Sequence, residues 1–284
     1  MPKQSTEKTE EMMADTILDI LANTARERVS ADQNKISMEE MKALALTKEC
    51  ITDREKGFPV EQALRQPGIS FICEVKKASP SKGLIAEDFP YVEIARAYEQ
   101  AGAACISVLT EPSRFLGSDK YLQEITECVK TPVLRKDFTV DSYQIYQAKV
   151  LGASMVLLIC ALLDEETIRE YIGICDSLGL SALVEAHDDA EIAMAVRAGA
   201  RIIGVNNRNL KDFTVDVHNS ERLRKLVPPH VLFIAESGIR DAEDIRVLDA
   251  AGVNGVLIGE TLMRSPDKKK MLDELRKGCE KADR

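Results

Sequence analysis

The stretch that decides the fold is Phe71-Ile-Cys-Glu-Val-Lys-Lys-Ala-Ser-Pro-Ser-Lys-Gly83. It begins as an apolar run typical of a buried strand, and the acid Glu74 and the base Lys76 interrupt that run where the strand should end. Because successive side chains of a strand alternate between its faces, these two point the same way. The following proline and glycine predict a loop. An ion pair at the carboxyl end of a buried strand is hard to explain by packing alone.

Seven more runs of the same character follow along the chain. The eight apolar runs have strand length and mostly β-branched or aliphatic content, and they lie near residues 71–75, 104–109, 132–135, 154–160, 180–185, 201–205, 231–235 and 253–258. Amphipathic segments of helical length separate them, and helix start signals precede several of these segments: Asp141 with Gln144, Asp164, and Asp188 with Glu191.

Glycines mark the other ends of the predicted helices. Five of them, each one or two residues before a strand, are Gly102, Gly152, Gly179, Gly199 and Gly252. A glycine in this place closes a helix in the left-handed conformation before a short turn. Helix, glycine and strand therefore form a repeating unit of the chain.

Strands that alternate with helices imply an α/β fold with a parallel sheet and right-handed crossovers. Eight units in residues 71–284 favour a closed (β/α)8 TIM barrel. An open doubly wound sheet remains the alternative, although no Gly-x-Gly-x-x-Gly motif follows the first strand. Residues 1–70 contain helical spacing, with a capping-box pattern at Ser37 and Glu40, and no strand pattern. We predict one domain over residues 1–284, with this segment as an N-terminal helical extension.

Composition limits the possible partners and location. The formal net charge of −9 over 284 residues argues against wide contact with nucleic acid or an anionic membrane, although local basic residues can still bind a small anion. No apolar run reaches the roughly 18 to 20 residues of a membrane helix, and the charged N-terminus does not resemble a secretory signal. Most of the seven cysteines lie in apolar runs, as core residues do. We expect a cytoplasmic protein.

Polar residues at the ends of other strands share the inward phase of their apolar neighbours. They are Lys136, Glu185, Asn206 with Arg208 two residues further, and Glu236. In a barrel of this kind the chemistry lies at the carboxyl ends of the strands. Converging acids and bases suit proton transfer, and a lysine held among apolar walls can act as a general acid near neutral pH. The alternative is that each charge only marks where a strand leaves the core.

The last two strands are followed by segments typical of phosphate sites. Glu236-Ser-Gly-Ile239 and Leu257-Ile-Gly-Glu-Thr261 occupy the place where barrels commonly bind phosphate through backbone N–H groups. The alternative is that Gly238 and Gly259 only make tight turns. His187, His218 and His230 have no metal-ligand spacing, so we predict no metal site and interpret them as structural or exposed.

Taken together, these motifs resemble indole-3-glycerol phosphate synthases. The resemblance runs from about Ile17 to the C-terminal helix and is carried by Glu-Val-Lys-Lys-Ala-Ser-Pro-Ser-Lys-Gly from Glu74, Ser107-Val-Leu-Thr-Glu, Leu134-Arg-Lys-Asp-Phe, Val156-Leu-Leu-Ile, Leu183-Val-Glu, Ile203-Gly-Val-Asn-Asn-Arg-Asn-Leu, Ala235-Glu-Ser-Gly-Ile and Leu257-Ile-Gly-Glu. It implies a lyase of tryptophan biosynthesis without metal or cofactor. The implied reaction converts 1-(2-carboxyphenylamino)-1-deoxyribulose 5-phosphate to indole-3-glycerol phosphate, carbon dioxide and water.

The resemblance also implies catalytic roles. Lys136 matches the general acid that protonates the ribulose carbonyl during ring closure. Lys76, paired with Glu74, matches a residue that contacts substrate and assists the second proton transfer. Glu185 matches a carboxylate that stabilises anilinium-like charge or acts in dehydration. Whether Glu74 or Glu185 is the base stays open.

Further positions are implied to bind the small phosphorylated substrate. Ser79, Glu236, Asn206 for a hydroxyl, Arg208 for the anthranilate carboxylate, and the apolar walls Phe115, Phe138 and Leu210 are the predicted substrate contacts. Ser237, Gly238, Gly259 and Glu260 are the predicted phosphate ligands, mainly through the backbone. The Glu260 carboxylate would repel a phosphate, so we expect it to turn outward.

The resemblance further implies that the N-terminal helices cap the site and that Ser79-Pro-Ser81 forms a flap over the substrate. We expect a monomer or weak homo-oligomer with no fused second barrel. Two other functions are the main alternatives. A phosphoribosylanthranilate isomerase is expected to need a cysteine and an aspartate at strand ends, but Cys73 is out of phase with Glu74. A silent phosphate-binding barrel serving as a partner subunit would have no chemical need for both lysines and Glu185.

Overall fold

Eight parallel strands close into a barrel in the computed structural model, which describes residues 16–48, 58–208 and 214–279. The strands are β1 (Ser70–Val75), β2 (Ala78–Ser79), β3 (Gly83–Leu84), β4 (Cys105–Leu109), β5 (Val133–Lys136), β6 (Met155–Ile159), β7 (Ser181–Ala186), β8 (Ile202–Asn206), β9 (Leu232–Glu236) and β10 (Gly255–Ile258). The barrel order is β1-β10-β9-β8-β7-β6-β5-β4, while β2 and β3 form a separate antiparallel hairpin. The (β/α)8 prediction is confirmed and the open-sheet alternative is wrong.

Helices alternate with these strands and also precede them. They are α1 (Ile17–Gln33), α2 (Met38–Thr47), α3 (Pro59–Leu64), α4 (Tyr91–Gln100), α5 (Asp119–Cys128), α6 (Tyr143–Val150), α7 (Glu165–Leu178), α8 (Asp189–Ala198), α9 (His218–Arg224), α10 (Ala242–Ala250), α11 (Glu260–Arg264) and α12 (Lys268–Arg276). The first three form the N-terminal extension, whose predicted helical character is confirmed within the described ranges. In that part of the chain no helix is both long and apolar enough to cross a membrane.

Local signals explain where the helices begin and end. Ser37 and Glu40 form the predicted capping box at α2, and Asp164 caps α7 by accepting from the N–H of Thr167. All five predicted closing glycines have positive φ angles, between 71° and 89°. At the start of α6 the prediction is off by one residue: the helix follows Ser142, although Asp141 still accepts from the N–H of Tyr143.

The strands have two buried faces, as their continuous apolar runs require. Side chains of one phase fill the barrel interior, among them Ile72, Leu134, Leu183 and Leu257. The other phase packs against the surrounding helices in a larger cluster that includes Cys73. The inward phase is therefore the one that also carries Glu74, Lys136, Glu185 and Glu236 at the strand ends.

Helix α3 closes the amino end of the barrel. Its Val60 and Leu64 are each 1% exposed and pack with the interior cluster. The Glu61 carboxylate is held at 2.9 Å by Arg201, which also forms two hydrogen bonds with Asp176. The apolar plug and its ion-pair network seal the end opposite the predicted chemistry.

Truncating the plug should lower stability without disturbing that chemistry. Leu64→Ala removes buried methyl groups and leaves a cavity, so we expect the free energy of unfolding to fall by about 2 to 5 kcal/mol, measured by denaturant titration. The control Leu46→Ala changes a helical leucine that is 69% exposed, and it should alter stability by less than about 0.5 kcal/mol. Equal losses in the two variants would contradict the plug assignment.

Candidate active site

A cavity of about 640 Å³ opens at the carboxyl ends of the barrel strands. Every predicted site residue that the structure describes lines it: Glu74, Lys76, Ser79, Phe115, Lys136, Phe138, Glu185, Asn206, Arg208, Glu236, Ser237, Gly238, Gly259 and Glu260. Leu210 lies outside the described residues. Alternation along the strands thus brings these side chains to one mouth, and the interpretation that each merely marks a strand exit is disfavoured.

Lys136 lies at the centre of a group of buried carboxylates. Its Nζ is 3.3 Å from Glu185 Oε2 and 3.6 Å from Glu236 Oε2. The two glutamate side chains are 3% and 2% exposed, so this contact is shielded from bulk water. The amide of Asn206 also reaches Glu185, with Nδ2 3.4 Å from Oε1. The three strands β5, β7 and β9 therefore bring one ammonium group and two carboxyl groups to a common point.

The pKa of Lys136 is raised, not brought toward neutrality. Burial alone lowers the pKa, but the attraction of Glu185, Glu236 and Glu74 outweighs it. The expectation of apolar walls around this lysine is therefore wrong: carboxylates surround the ammonium group. Lys136 carries its proton firmly and can release it only to a strongly basic oxygen.

The two glutamates beside Lys136 have opposite pKa shifts. Burial raises the pKa of Glu185, but Lys136, His187 and Asn206 outweigh it and lower the pKa below its ordinary value of 4.5. For Glu236, burial dominates and the neighbouring carboxylates add to it, so its pKa rises to about 8 despite Lys136. Two carboxylates facing one cation cannot both ionise easily, so Glu185 holds the charge and Glu236 holds the proton.

The ion pair of Glu74 and Lys76 lies at another part of the barrel mouth. Lys76 Nζ contacts Glu74 Oε1, and their side chains are 17% and 6% exposed. A Cβ atom built at Gly259 would collide with both of these groups. Gly259 has a negative φ, so no left-handed backbone conformation requires a glycine at this position. Glycine is required there because the ion pair occupies the space of a side chain.

The loop after β9 has an unusual backbone conformation. Ser237 and Gly238 have successive positive φ angles of 66° and 82°, and a positive φ is uncommon for a residue other than glycine. The Ser237 carbonyl accepts from Asn207 Nδ2 at 3.2 Å. Asn207 is itself buried and accepts from the N–H and the hydroxyl of Ser220. These contacts of Asn207 were not predicted, because the sequence pattern does not indicate which of Asn206 and Asn207 points away from the barrel mouth.

The Glu260 carboxylate is neutralised by two cations. Its Oε1 is 3.1 Å from Arg264 Nε and 3.6 Å from Lys82 Nζ. Lys82 lies in the turn of the hairpin formed by β2 and β3, a paired segment where the sequence predicted only a loop. The hairpin base is fixed by the N–H of Ile85, which donates to the Lys77 carbonyl at 2.8 Å. The residue that follows the predicted flap Ser79-Pro-Ser81 therefore contacts the predicted phosphate ligand Glu260.

Aromatic rings line the side of the cavity opposite the phosphate loops. The ring centroids of Phe115 and Phe138 are 6.2 Å apart. The fully buried Glu111 fixes the loop that carries Phe115 by accepting from the backbone N–H groups of Ser113, Arg114 and Phe115. The two predicted rings thus form one apolar wall.

Helix α1 completes the cavity, with Ile17, Leu18 and Leu21 among its lining residues. The helix is clamped to the barrel by Arg28, which forms hydrogen bonds of 3.0 and 2.6 Å with the two oxygens of Asp137. Asp137 is 1% exposed, follows Lys136 directly and accepts from Thr110 at 2.5 Å. The N-terminal extension is therefore connected to the loop that begins at Lys136.

Cysteine and histidine side chains near the cavity differ in burial and in their contacts. Cys73 packs in the layer between strands and helices, and burial raises the pKa of its thiol, so it offers no strand-end nucleophile or base to the cavity. His230 is exposed, and His218 is exposed at the cavity rim. The interpretation of His187 is incomplete: its Nε2 lies 3.4 Å from the predicted catalytic Glu185. A sequence signal existed, since His187 follows Glu185 by two residues in the same strand phase.

Comparison with known proteins gives a consistent result. The family model "Indole-3-glycerol phosphate synthase" matches residues 18–275. The indole-3-glycerol phosphate synthase of Ruminiclostridium cellulolyticum is 55% identical over 260 residues, covering 92% of this chain and 98% of the relative. That of Lachnoclostridium phytofermentans is 51% identical over 269 residues, with the same two coverages.

Solved structures of low sequence identity share the fold. A 3-hexulose-6-phosphate synthase from Salmonella typhimurium superposes with a TM-score of 0.62 at 14% identity, over 74% of this chain and 98% of that one. A thiamine phosphate pyrophosphorylase from Pyrococcus furiosus gives a TM-score of 0.55 at 18% identity, over 74% and 95%. These likenesses concern the barrel alone.

Breaking the contact between Arg28 and Asp137 should weaken both folding stability and substrate binding. Arg28→Ala leaves the buried Asp137 without its strongest partner, so we expect the free energy of unfolding to fall by about 1 to 3 kcal/mol and the substrate KM to rise. Denaturant titration and steady-state kinetics measure the two effects. The control Arg26→Ala, an exposed arginine of the same helix, should change stability by less than about 1 kcal/mol and leave KM unchanged. Identical behaviour of the two variants would refute the clamp.

The raised pKa of Glu236 predicts a pH-dependent stability. Its folded-state pKa of about 8 exceeds the ordinary value of 4.5, so its contribution to stability is complete below pH 4.5 and is lost as pH rises through 8. Glu236→Gln removes that loss, so its Tm should rise relative to wild type across this window. In the control Glu243→Gln, whose wild-type side chain is 63% exposed, the difference in Tm from wild type should stay constant across this pH range. A constant Tm difference for Glu236→Gln as well would rule out the raised pKa.

Proposed function

The chain belongs to the indole-3-glycerol phosphate synthase family, and from that premise we propose that Lys136 is the general acid of the family reaction. The reaction turns 1-(2-carboxyphenylamino)-1-deoxyribulose 5-phosphate into indole-3-glycerol phosphate, carbon dioxide and water, which makes the chain a carboxy-lyase of tryptophan biosynthesis. The observation that carries the assignment is the position of Lys136 Nζ, within 3.6 Å of both Glu185 and Glu236 at the barrel mouth.

Ring closure joins the aromatic carbon that bears the carboxylate to the ketone carbon of the sugar. As that bond forms, the ketone oxygen gains negative charge and becomes strongly basic. Lys136, whose pKa is raised, stabilises this charge and transfers its proton to the oxygen. Loss of carbon dioxide then restores the electrons of the aromatic ring.

Dehydration removes the new hydroxyl as water and needs a second acid and a base. Lys76, paired with Glu74, supplies the proton to the leaving hydroxyl. Glu185 is the ionised carboxylate nearest Lys136 and suits both the stabilisation of anilinium-like charge and removal of the proton from the ring carbon bonded to nitrogen, whose electrons complete the indole as water leaves. Glu74 is the alternative base.

The remaining residues hold the substrate across the mouth. The phosphate binds backbone N–H groups of Ser237, Gly238, Gly259 and Glu260, and the aromatic ring lies against Phe115 and Phe138. Asn206 holds a sugar hydroxyl, while Glu236, protonated near neutral pH, can donate to another. Arg208 faces the anthranilate carboxylate and Ser79 contacts the substrate from the hairpin.

Location and assembly are part of the same proposal. The chain works in the cytoplasm as a single domain, either as a monomer or a weak homo-oligomer, and without a cofactor. Its substrate is a small phosphorylated molecule rather than nucleic acid or membrane lipid. The buried free thiols of Cys73, Cys105 and Cys175 suit a reducing compartment, and the net charge of −9 opposes association with polyanions.

Removing Lys136 tests the central role. Lys136→Ala should lower kcat by more than about 100-fold, the scale expected for the loss of a general acid, with substrate binding retained. Indole fluorescence follows turnover, and titration calorimetry follows binding. The control Lys120→Ala, at a side chain 70% exposed on α5, should leave kcat unchanged. Turnover by Lys136→Ala within about threefold of wild type would remove Lys136 from this role.

A further inference from the structure

His187 lies between two carboxylates at the end of β7. Its Nδ1 is 3.0 Å from Glu191 Oε2, and its Nε2 is 3.4 Å from Glu185 Oε1. The side chain is only 20% exposed. The ring therefore bridges the proposed catalytic carboxylate and a second acid that lies outside the catalytic group.

Glu191 controls the orientation of the ring. The same Oε2 atom that meets Nδ1 also accepts from the backbone N–H of His187 at 2.7 Å. Glu191 sits in the first turn of α8, where Asp188 caps its N–H at 2.9 Å. On a third side, Asn219 Nδ2 donates to the His187 carbonyl at 3.4 Å. Backbone and ring are thus fixed together.

The other ring nitrogen of His187, Nε2, faces Glu185. Nε2 is buried and has no well-aligned hydrogen bond among the described residues, and Glu185 Oε1 is the carboxylate oxygen within reach. The other oxygen of Glu185 faces Lys136 at 3.3 Å. Glu185 is therefore held from both sides, by an ammonium group and by an imidazole.

We propose that His187 and Glu191 form a positioning pair for Glu185. Glu191 holds the His187 ring so that Nε2 stays 3.4 Å from Oε1, which leaves Oε2 to face Lys136 and the substrate. The inference rests on the proposed function, because it assigns the pair to the carboxylate that acts in the reaction. Neither His187 nor Glu191 touches the reacting atoms in this assignment.

The charge state of the ring agrees with this arrangement. Burial lowers the pKa of His187, but Glu185 and Glu191 outweigh it and raise the pKa to about 10, so both ring nitrogens carry protons at neutral pH. Other titratable groups surround the pair: Lys136 and Glu236 act across Glu185, and Cys160 donates its thiol to the Glu191 carbonyl at 3.7 Å. Of these, Lys136 is positively charged like the ring, so both help to keep Glu185 ionised.

Two substitutions separate geometry from charge. His187→Ala removes both, and kcat should fall about 10- to 100-fold, the usual effect of losing an outer orienting partner, while KM changes less than about threefold. His187→Gln keeps an N–H donor but removes the charge. Its kcat should recover at alkaline pH, and the acid limb of its pH profile should move to higher pH because the pKa of Glu185 rises. The control His230→Ala, an exposed histidine, should match wild type throughout.

The outcomes distinguish this inference from the proposed function. An inactive wild type, or an active Lys136→Ala variant, defeats the proposed function. With those two behaving as stated, an unchanged kcat in His187→Ala overturns the positioning pair. The positioning pair is also overturned if His187→Gln loses as much kcat as His187→Ala at every pH and the acid limb of its pH profile does not move. Should His187→Ala fail to fold, the shift in His187→Gln decides, supported by a fall in kcat with unchanged KM in Glu191→Gln.

Discussion

The site depends on a buried ammonium group surrounded by carboxylates. Taking the charge of Lys136 out of water is costly unless opposite charges lie close to it, and Glu185 and Glu74 supply them. The same carboxylates would repel one another without the lysine. Each charge in this group therefore requires the others, and the compromise leaves one glutamate ionised and another protonated near neutral pH. Acid and base of different strength result from similar side chains placed a few ångströms apart.

Strand register brings these charges together. Lys136, Glu185 and Glu236 lie at or next to the ends of β5, β7 and β9 in the inward phase. The register pairs Glu185 with Gly204 and Gly204 with Ile234, so Glu236 lies two residues further along its strand and the strands are staggered around the barrel. A slip of one residue in any of these strands would turn its charge into the layer beneath the helices. The N-terminal extension supports this arrangement at both ends, with α3 filling the amino end and α1 bound beside Lys136 through Arg28 and Asp137.

Much of the fold followed from local signals. Runs of two-sided apolar strands, helix caps and glycines in the left-handed conformation are encoded within a few residues, so barrel, strand ends and inward phase were predictable. The features that could not be predicted depend on residues that are distant in the sequence. The pKa of Lys136 is set by side chains from other strands, and Gly259 is required by an ion pair roughly 180 positions earlier in the chain. Glu111, Asn207 and His187 act through contacts that no spacing rule reveals, although the strand phase of His187 was a usable hint.

The most direct test is to titrate the glutamate carboxyl groups by 13C NMR, with Glu185→Gln and Glu236→Gln used for assignment. The account predicts that the resonance lost in Glu236→Gln titrates at about 8, far above the ordinary 4.5. It also predicts that the resonance lost in Glu185→Gln remains that of a carboxylate well below pH 4.5. If both groups titrated together near 4.5, the lysine would not divide them into an acid and a base, and the account of the site would be contradicted.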